Sequence, residues 1–170
     1  MEVAEFIQHA LERVTRSTTR VLTGLNDEEL MWRPGPECNS IALILFHGAR
    51  SEDSFIQERV LGQPQIWESE EWHKKLNMQP SDRGAGLTSE QIVAFHVVDT
   101  KTLMSYCEAV RARTMAYLKD KKSSDFDRIV KMARFGDMPV GAVFALVLVH
   151  TAEHIGDISY LRGMQRGLNK

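Results

Sequence analysis

Residues 139–161 read PVGAVFALVLVHTAEHIGDISYL, an apolar run that starts with a proline and carries two histidines one helical turn apart. The aliphatic residues recur with the period of an α-helix, and proline is favoured in the first turn of a helix. His150 and His154 share the stripe of Val143 and Val147, which must face a core. The stretch therefore predicts a core helix, from residue 137 or 138 to about 165, with two inward-facing imidazole rings.

Three upstream segments have the same period and carry helix start and stop signals. They span residues 3–25, 40–62 and 89–118. Ser40 is placed to cap the second helix, and the capping box Thr88-Ser89-Glu90-Gln91 opens the third. The apolar face of the first helix is predicted to consist of Phe6, Ala10, Val14, Ser17 and Val21.

About 25 residues, 63–87, connect the second and third helices, which is long for a helical bundle. Short loops force neighbouring helices to be antiparallel, whereas a connection of this length can carry the chain back so that the two run parallel. Strand signals are nearly absent. We therefore predict a single all-α domain, residues 1–170, folded as an up-down-down-up four-helix bundle.

The composition argues against several classes of protein. The net charge is −2, and no dense basic patch with interleaved aromatic residues suggests a nucleic-acid partner. Cys38 and Cys107 are too few for a disulfide framework, and the acidic N-terminus lacks the apolar region of a signal peptide. The most apolar stretch, 140–149, is about half the length needed to cross a bilayer. We expect a cytoplasmic protein with no membrane partner.

The segment His150-Thr151-Ala152-Glu153-His154 matches the H-x-x-E-H pattern of one class of zinc peptidases. That class needs a carboxylate ligand well downstream, but no glutamate follows Glu153 and only 16 residues follow His154. Two imidazoles at i,i+4 can share one cation, whereas two core histidines without a cation need two sets of hydrogen-bonding partners. If the pair binds a metal, its third ligand must come from upstream.

His47 is the best candidate for that ligand. It lies on the core-facing stripe of the second helix, roughly 10 Å from the helix start, while His154 lies roughly 15 Å from the end of the fourth helix. In antiparallel helices these levels agree to about one turn. His96 either lines the site or is a satisfied core histidine, and His9 is expected to be solvated. Asp157 is a fourth ligand, a surface residue or, as we prefer, an acceptor for an imidazole N–H.

Several short motifs together resemble the DinB/YfiT-like superfamily. They are Trp32-Arg33-Pro34, Asn39-Ser40-Ile41-Ala42, the helix 43–53 that carries His47, and His150-x-x-x-His154-x-Gly156-x-Ile158 followed by Leu161-Arg162-Gly163. The other helices and both long connections carry no matching motif. The resemblance implies an up-down-down-up bundle with a divalent nickel, zinc or iron ion held by His47, His150 and His154. Where the superfamily commonly has glutamine, this chain has Asp157.

Three neutral imidazoles would leave coordination positions open, as in catalytic rather than structural metal sites. A divalent ion there can lower the pKa of a bound water or thiol, and imidazole ligands do not select among zinc, nickel, copper and iron. Some members of the superfamily are thiol S-transferases or isomerases that use glutathione, mycothiol or bacillithiol. The resemblance therefore implies a small-molecule substrate and a low-molecular-weight thiol as partners.

The leading hypothesis is a metal-dependent enzyme that transfers such a thiol to an electrophilic small molecule, with no catalytic residue assigned. The alternatives are a non-catalytic metal-binding stress or scaffold protein, and a metal-dependent hydrolase that would use Asp157 or Glu153. Family members often pair, so a homodimer is expected.

Aromatic residues of the long connection have two interpretations. Trp67, Trp72 and His73 either close over the open side of the site, with Trp32 at its edge, or plug the end of the core. Neither interpretation identifies a substrate.

Overall fold

The computed structural model describes residues 1–167, which are mostly helical. The four long helices are α1 (Val3–Leu22), α3 (Ile41–Asp53), α7 (Thr100–Leu118) and α8 (Val140–Arg166). The short helices are α2 (Asp27–Met31), α4 (Ile66–Ser69), α5 (Trp72–Lys75) and α6 (Ser89–Ala94). The predicted all-α class is confirmed.

Helix α3 begins where the sequence predicts, because the Ser40 hydroxyl accepts a hydrogen bond from the Leu43 amide. Beyond Asp53 the chain continues as a π-helical segment, Ser54–Val60, which the sequence does not signal. Gly62 follows at a φ of +65°, a conformation that only glycine adopts without strain.

The predicted third helix, 89–118, is interrupted. The capping box of Thr88 and Gln91 is present, but it opens only the six-residue α6. The chain leaves the helix at Phe95 and starts again at Asp99, whose carboxylate accepts hydrogen bonds from two amides in the first turn of α7. An aspartate that can cap a new helix competes with continuation of the old one, and the regular apolar period masked that signal.

A two-stranded antiparallel hairpin lies where no strand was expected. Its strands are β1 (Ile129–Met132) and β2 (Gly136–Pro139). Val130 and Met132 point into the core, so the alternation typical of a strand is present but is only four residues long. Because β2 takes the residues predicted to open the last helix, α8 starts at Val140 and Pro139 precedes it.

The face that α1 buries also differs from the prediction. Phe6 is 61% exposed, whereas Ala4, Ile7 and Leu11 are buried. Val21 belongs to the predicted face and is buried. Apolar residues occur on two adjoining faces of this helix, so periodicity alone does not decide which of them meets the core.

Two groups of buried apolar side chains form the core. One, which includes Phe46 and Tyr106, joins α3, α7 and the C-terminal part of α8. The other, which includes Leu11 and Phe144, joins α1, the start of α8 and the π-helical segment. Helix α3 packs against both α7 and α8, and α1 packs against α8 and α7. The two helices that carry the histidines are therefore neighbours.

A buried carboxylate fixes the connection 63–87 to α3. Asp53 is fully buried and accepts hydrogen bonds from the backbone amides of Ile66 and Trp67 and from the hydroxyl of Tyr106. Burial raises the pKa of Asp53, against the effect of these donors and of the guanidinium of Arg50. Trp67 is itself fully buried, so it plugs the core and the lid interpretation is wrong for this residue.

Helix α8 is also long and apolar enough to cross a membrane by length and composition, the one such helix in residues 1–167. The core helix of a soluble protein meets the same criterion, so this is weak evidence for a membrane span. His150, Glu153 and His154 lie within the helix.

Candidate metal centre

His47 of α3 and His150 and His154 of α8 come together between the two helices. The Nε2 atom of His150 lies 3.1 Å from Nε2 of His47 and 3.0 Å from Nε2 of His154. One ligand atom of each ring lies within 4.8 Å of the other two, and all three rings are half-buried. The helical face and the depth inferred for His47 thus agree with its position beside the pair.

In His47 and His154, the nitrogen that faces away from the cluster, Nδ1, lies near a hydrogen-bond acceptor. Nδ1 of His47 lies 3.4 Å from the backbone carbonyl oxygen of Arg83, and Nδ1 of His154 lies 3.2 Å from Oδ2 of Asp157. A carbonyl or carboxylate oxygen can only accept, so these contacts assign the proton to Nδ1 in both rings. The Nε2 atoms of His47 and His154 are then bare lone pairs directed at His150.

Three imidazoles in this arrangement do not satisfy one another. Nε2 of His150 can donate a hydrogen to His47 or to His154, but a single N–H cannot serve both lone pairs fully. A cation placed among the three nitrogens would accept electron density from all of them at once. The donor set therefore fits a divalent metal ion better than it fits a hydrogen-bonded core cluster.

The separations between nitrogens also suit a metal. Two nitrogens, each about 2.05 Å from one ion, are roughly 2.9 Å apart at a right angle and roughly 3.3 Å apart at the tetrahedral angle. The observed 3.0 and 3.1 Å fall between these values. Both pairs that include His150 are therefore spaced as two ligands of one ion would be, and three ligands would leave further coordination positions for water or a substrate.

Burial favours the neutral form of two of the rings, His150 and His47. Burial, together with the neighbouring His154 and His47, lowers the pKa of His150 to about 4. Burial also lowers the pKa of His47, although the Arg83 carbonyl opposes that shift. Only a neutral imidazole has a lone pair for a metal, so at neutral pH protons compete little for these two ligands.

Gly84 lets the long connection approach His47. A Cβ atom at this position would lie 2.9 Å from Cδ1 of Phe46 and 3.2 Å from Cβ of His47, and the residue has a φ of +68°. Both the close approach and the positive φ require glycine here. Sequence reasoning missed the role of Arg83, because the atom used is a backbone carbonyl; the glycine that follows it is its only sign.

The other candidate residues lie outside the cluster. His96 falls in the break between α6 and α7 and is exposed, so it neither lines the site nor belongs to the core. His9 is exposed, as predicted, and Nδ1 of His73 lies 2.9 Å from the carbonyl oxygen of Trp67. Asp157 contacts the outer nitrogen of His154, the arrangement that we preferred from the sequence.

The fold and the site define a class of protein: an all-α chain in which two adjacent long helices bring three imidazoles together. The family model of the DinB superfamily matches residues 10–158, most of the chain. The chain belongs to the DinB superfamily, and the resemblance of its sequence motifs is confirmed.

The fold is similar to that of a conserved protein from Enterococcus faecalis, known from a crystal structure. The TM-score is 0.82 at 20% sequence identity, and the alignment covers 96% of this chain and 97% of that chain. At this identity the similarity shows the fold alone. No functionally curated protein matches the chain.

Proposed function

We propose that His47, His150 and His154 bind a divalent metal ion, and that the protein is a metal-dependent enzyme acting on a small molecule. The observation that carries the proposal is the convergence of the three Nε2 atoms while acceptors occupy Nδ1 of His47 and His154. Membership of the DinB superfamily is consistent with it. Zinc, nickel and iron all accept this ligand set.

The reaction we favour is transfer of a low-molecular-weight thiol to an electrophilic small molecule. A divalent ion held by neutral ligands lowers the pKa of a thiol or a water molecule that it binds. The chain contributes the three imidazoles, orients two of them through Arg83 and Asp157, and leaves the remaining coordination positions open.

The metal-dependent hydrolase is less well supported by the geometry. It needs a carboxylate beside an activated water, and Asp157 contacts Nδ1 of His154, on the opposite side of the ring from Nε2. Glu153 is exposed on α8. A non-catalytic metal-binding protein has the same ligands, so only a measurement of turnover distinguishes it from the transferase.

The first experiment is elemental analysis of the untagged protein, because an affinity tag can itself carry nickel. We expect close to one divalent ion per chain, and loss of that ion in His47→Ala. His9→Ala is the matched control, since this ring is exposed and lies outside the cluster. Metal retained equally in all three proteins would overturn the proposed site.

The second experiment tests turnover. Metal-loaded protein is mixed with glutathione, mycothiol or bacillithiol and a chromogenic electrophile. We expect a rate above that of His47→Ala with at least one thiol. Full metal occupancy with no rate above that variant would favour the non-catalytic protein.

We also infer an up-down-down-up order of the long helices, in a single domain. Two contacts support a parallel arrangement of α3 and α7. Cys107 contacts Leu45 and Arg111 pairs with Glu52, so residue numbers increase in the same direction along both helices. Arg162 of α8 donates to the carbonyl of Val21 near the end of α1. This order brings α3 antiparallel to α8, as the histidine cluster requires.

A cytoplasmic location and a homodimer complete the proposal. Phe6, which projects from α1, and Tyr160, which projects from α8, are exposed apolar residues that a second copy could cover. Sedimentation equilibrium of the wild type and of Phe6→Ser tests the dimer, which we expect the variant to weaken.

A further inference from the structure

A cavity of about 380 Å³ lies among the four long helices, and of the three clustered histidines only His154 lines it. Apolar side chains such as Ile44, Met104 and Ile158 line much of it. His154 belongs to both sites, because its ring lines the cavity while its Nε2 atom faces His150. Gly48 lies beside this ring and keeps space open there, since a Cβ at that position would be 3.9 Å from Cδ2 of His154.

The polar groups of the cavity are mainly hydrogen-bond acceptors. Thr18, Thr19 and Thr151 line it, and each hydroxyl donates its hydrogen to the backbone carbonyl four residues earlier in the same helix. Each oxygen is left with lone pairs only. These hydroxyls therefore offer acceptors to a ligand that supplies its own N–H or O–H group.

The charged residues of the cavity also favour a ligand that donates hydrogen bonds. Arg111 is engaged by both oxygens of Glu52 and by the carbonyl of Leu11 and the hydroxyl of Thr15, so its positive charge is already paired. Glu108 also lines the cavity, and this second carboxylate leaves an excess of negative charge. Within residues 1–167 no further lysine or arginine lines it. Glu108 is exposed, so its charge is partly screened, and the balance favours a cationic ligand over an anionic one.

We propose that this cavity binds a small molecule with an apolar body and an amine or other hydrogen-bond-donating head group. A volume of about 380 Å³ lies at the lower end of the range for small-molecule sites, and an apolar wall with a few placed polar groups is their usual construction. The site goes beyond the proposed metal centre, because its lining requires no metal. The cavity and the metal centre should also bind different ligands, since an anionic thiol such as glutathione does not fit the charge of the cavity.

Cys107 provides a reporter inside the cavity. Its thiol lines the space and lies 3.8 Å from the carbonyl oxygen of Leu45. The other cysteine, Cys38, is exposed and is removed by Cys38→Ser. Burial raises the pKa of the Cys107 thiol to about 12, so it reacts slowly even in the free protein. A ligand that occupies the cavity should slow its reaction with a small neutral reagent such as methyl methanethiosulfonate further.

The test uses two probes with the same apolar body and opposite charge, naphthylmethylamine and naphthoate, on Cys38→Ser protein kept metal-free with a chelator. We expect saturating amine to slow the modification of Cys107 at least about tenfold, and naphthoate to leave the rate unchanged. Calorimetry should show binding of the amine alone. Protection by both probes or by neither would overturn the proposal.

Two alanines of α7 supply the matched variants. Ala112 lines the cavity and is exposed, so Ala112→Leu should fill the opening without overpacking the core and abolish protection by the amine. Ala116, one turn later and also exposed, does not line it, so Ala116→Leu should bind as the parent does. Equal binding by both variants would refute the assignment.

Glu108→Gln gives an independent test of charge, and it should weaken amine binding several-fold. An unchanged affinity for naphthylmethylamine would count against the cavity. Metal content is measured in every variant before the chelator is added. Loss of amine binding in Ala112→Leu protein whose metal content was normal before chelation supports the cavity, whereas failure of the histidines to bind metal leaves the cavity result unaffected.

Discussion

Oδ2 of Asp157 accepts a hydrogen bond from Nδ1 of His154 over 3.2 Å, one helical turn beyond the ring that it orients. The contact directs the bare Nε2 of His154 toward His150. A carboxylate that supports a ligand in this way acts through the imidazole rather than on the metal itself.

Asp157→Ala should therefore lower the metal affinity by about 10- to 100-fold, whereas Asp157→Asn, whose amide oxygen can still accept, should lose less. Competition with a chromophoric chelator measures the affinity. Glu153→Ala is the control, since it removes the same charge from an exposed position of the same helix. Equal losses in Asp157→Ala and Glu153→Ala would show that only the overall charge matters.

Gly84→Ala should destabilise the protein and weaken metal binding together. The new Cβ meets Phe46 and His47, and the φ of +68° is unfavourable for alanine. Gly86→Ala is the matched control, because its φ is +66° but a Cβ added there would have nothing within 4 Å. We expect about 1 kcal/mol from the backbone in Gly86→Ala and a clearly larger loss in Gly84→Ala, by urea denaturation. If Gly84→Ala left the metal affinity unchanged, the approach of the connection 63–87 to His47 would play no part in metal binding.

Tyr106→Phe should cost about 1 to 2 kcal/mol in the free energy of unfolding. The Tyr106 hydroxyl donates to Oδ2 of Asp53 over 2.9 Å, and its removal takes a donor from a fully buried carboxylate. Tyr160→Phe is the control, because Tyr160 is 70% exposed and should change stability by less than about 0.5 kcal/mol. Equal effects of the two changes in chemical denaturation would contradict the role of the buried network.

The metal-free protein should lose stability as the pH falls from about 6.5 to about 4. The pKa of His150 is lowered to about 4, mainly by burial, and that of His47 is lowered as well, whereas unfolded histidines titrate near 6.5. Within this window the unfolded chain binds more protons than the folded chain, so the free energy of unfolding decreases as the pH falls. Solvent reaches the half-buried rings, so we expect a loss on the order of 1 kcal/mol.

Comparison with His150→Asn isolates this effect. The variant lacks the ring with the lowered pKa, while the raised pKa of Asp53 is common to both proteins and cancels in the difference. Urea denaturation at several pH values, with a chelator present, should give a shallower pH dependence for the variant. Parallel curves would rule out His150 as the source.

The histidine cluster could be predicted from the sequence because each ring lies in a long helix. The apolar period fixes the face that His47, His150 and His154 occupy, and the constant rise per residue fixes their depth. The face and the depth are properties of a regular helix, so they do not depend on where the helix begins. The start of α8 at Val140 instead of residue 137 or 138 therefore leaves both unchanged.

Where structure is short or irregular, the same reasoning failed. The apolar period places His96 in a continuous helix although Asp99 caps a new one, and four-residue strands such as β1 are too short to show a period. The exposed Phe6 has a different cause. Helix α1 has two apolar faces, and contacts with the other helices determine which of them is buried. The signals of the cap and of the strand extend over only a few residues, and the longer apolar period obscures them.

The connection 63–87 is held largely through its main chain. Side chains of α3 bind the carbonyl oxygens of Asp82 and Arg83 and the amides of Ile66 and Trp67. Apart from Gly84 and the buried Gln65, Ile66, Trp67 and Leu76, most side chains of the connection can therefore change without loss of these contacts. Evolutionary drift should be fast in this segment and slow in α3, so relatives can alter the rim of the site while the ligands stay in place.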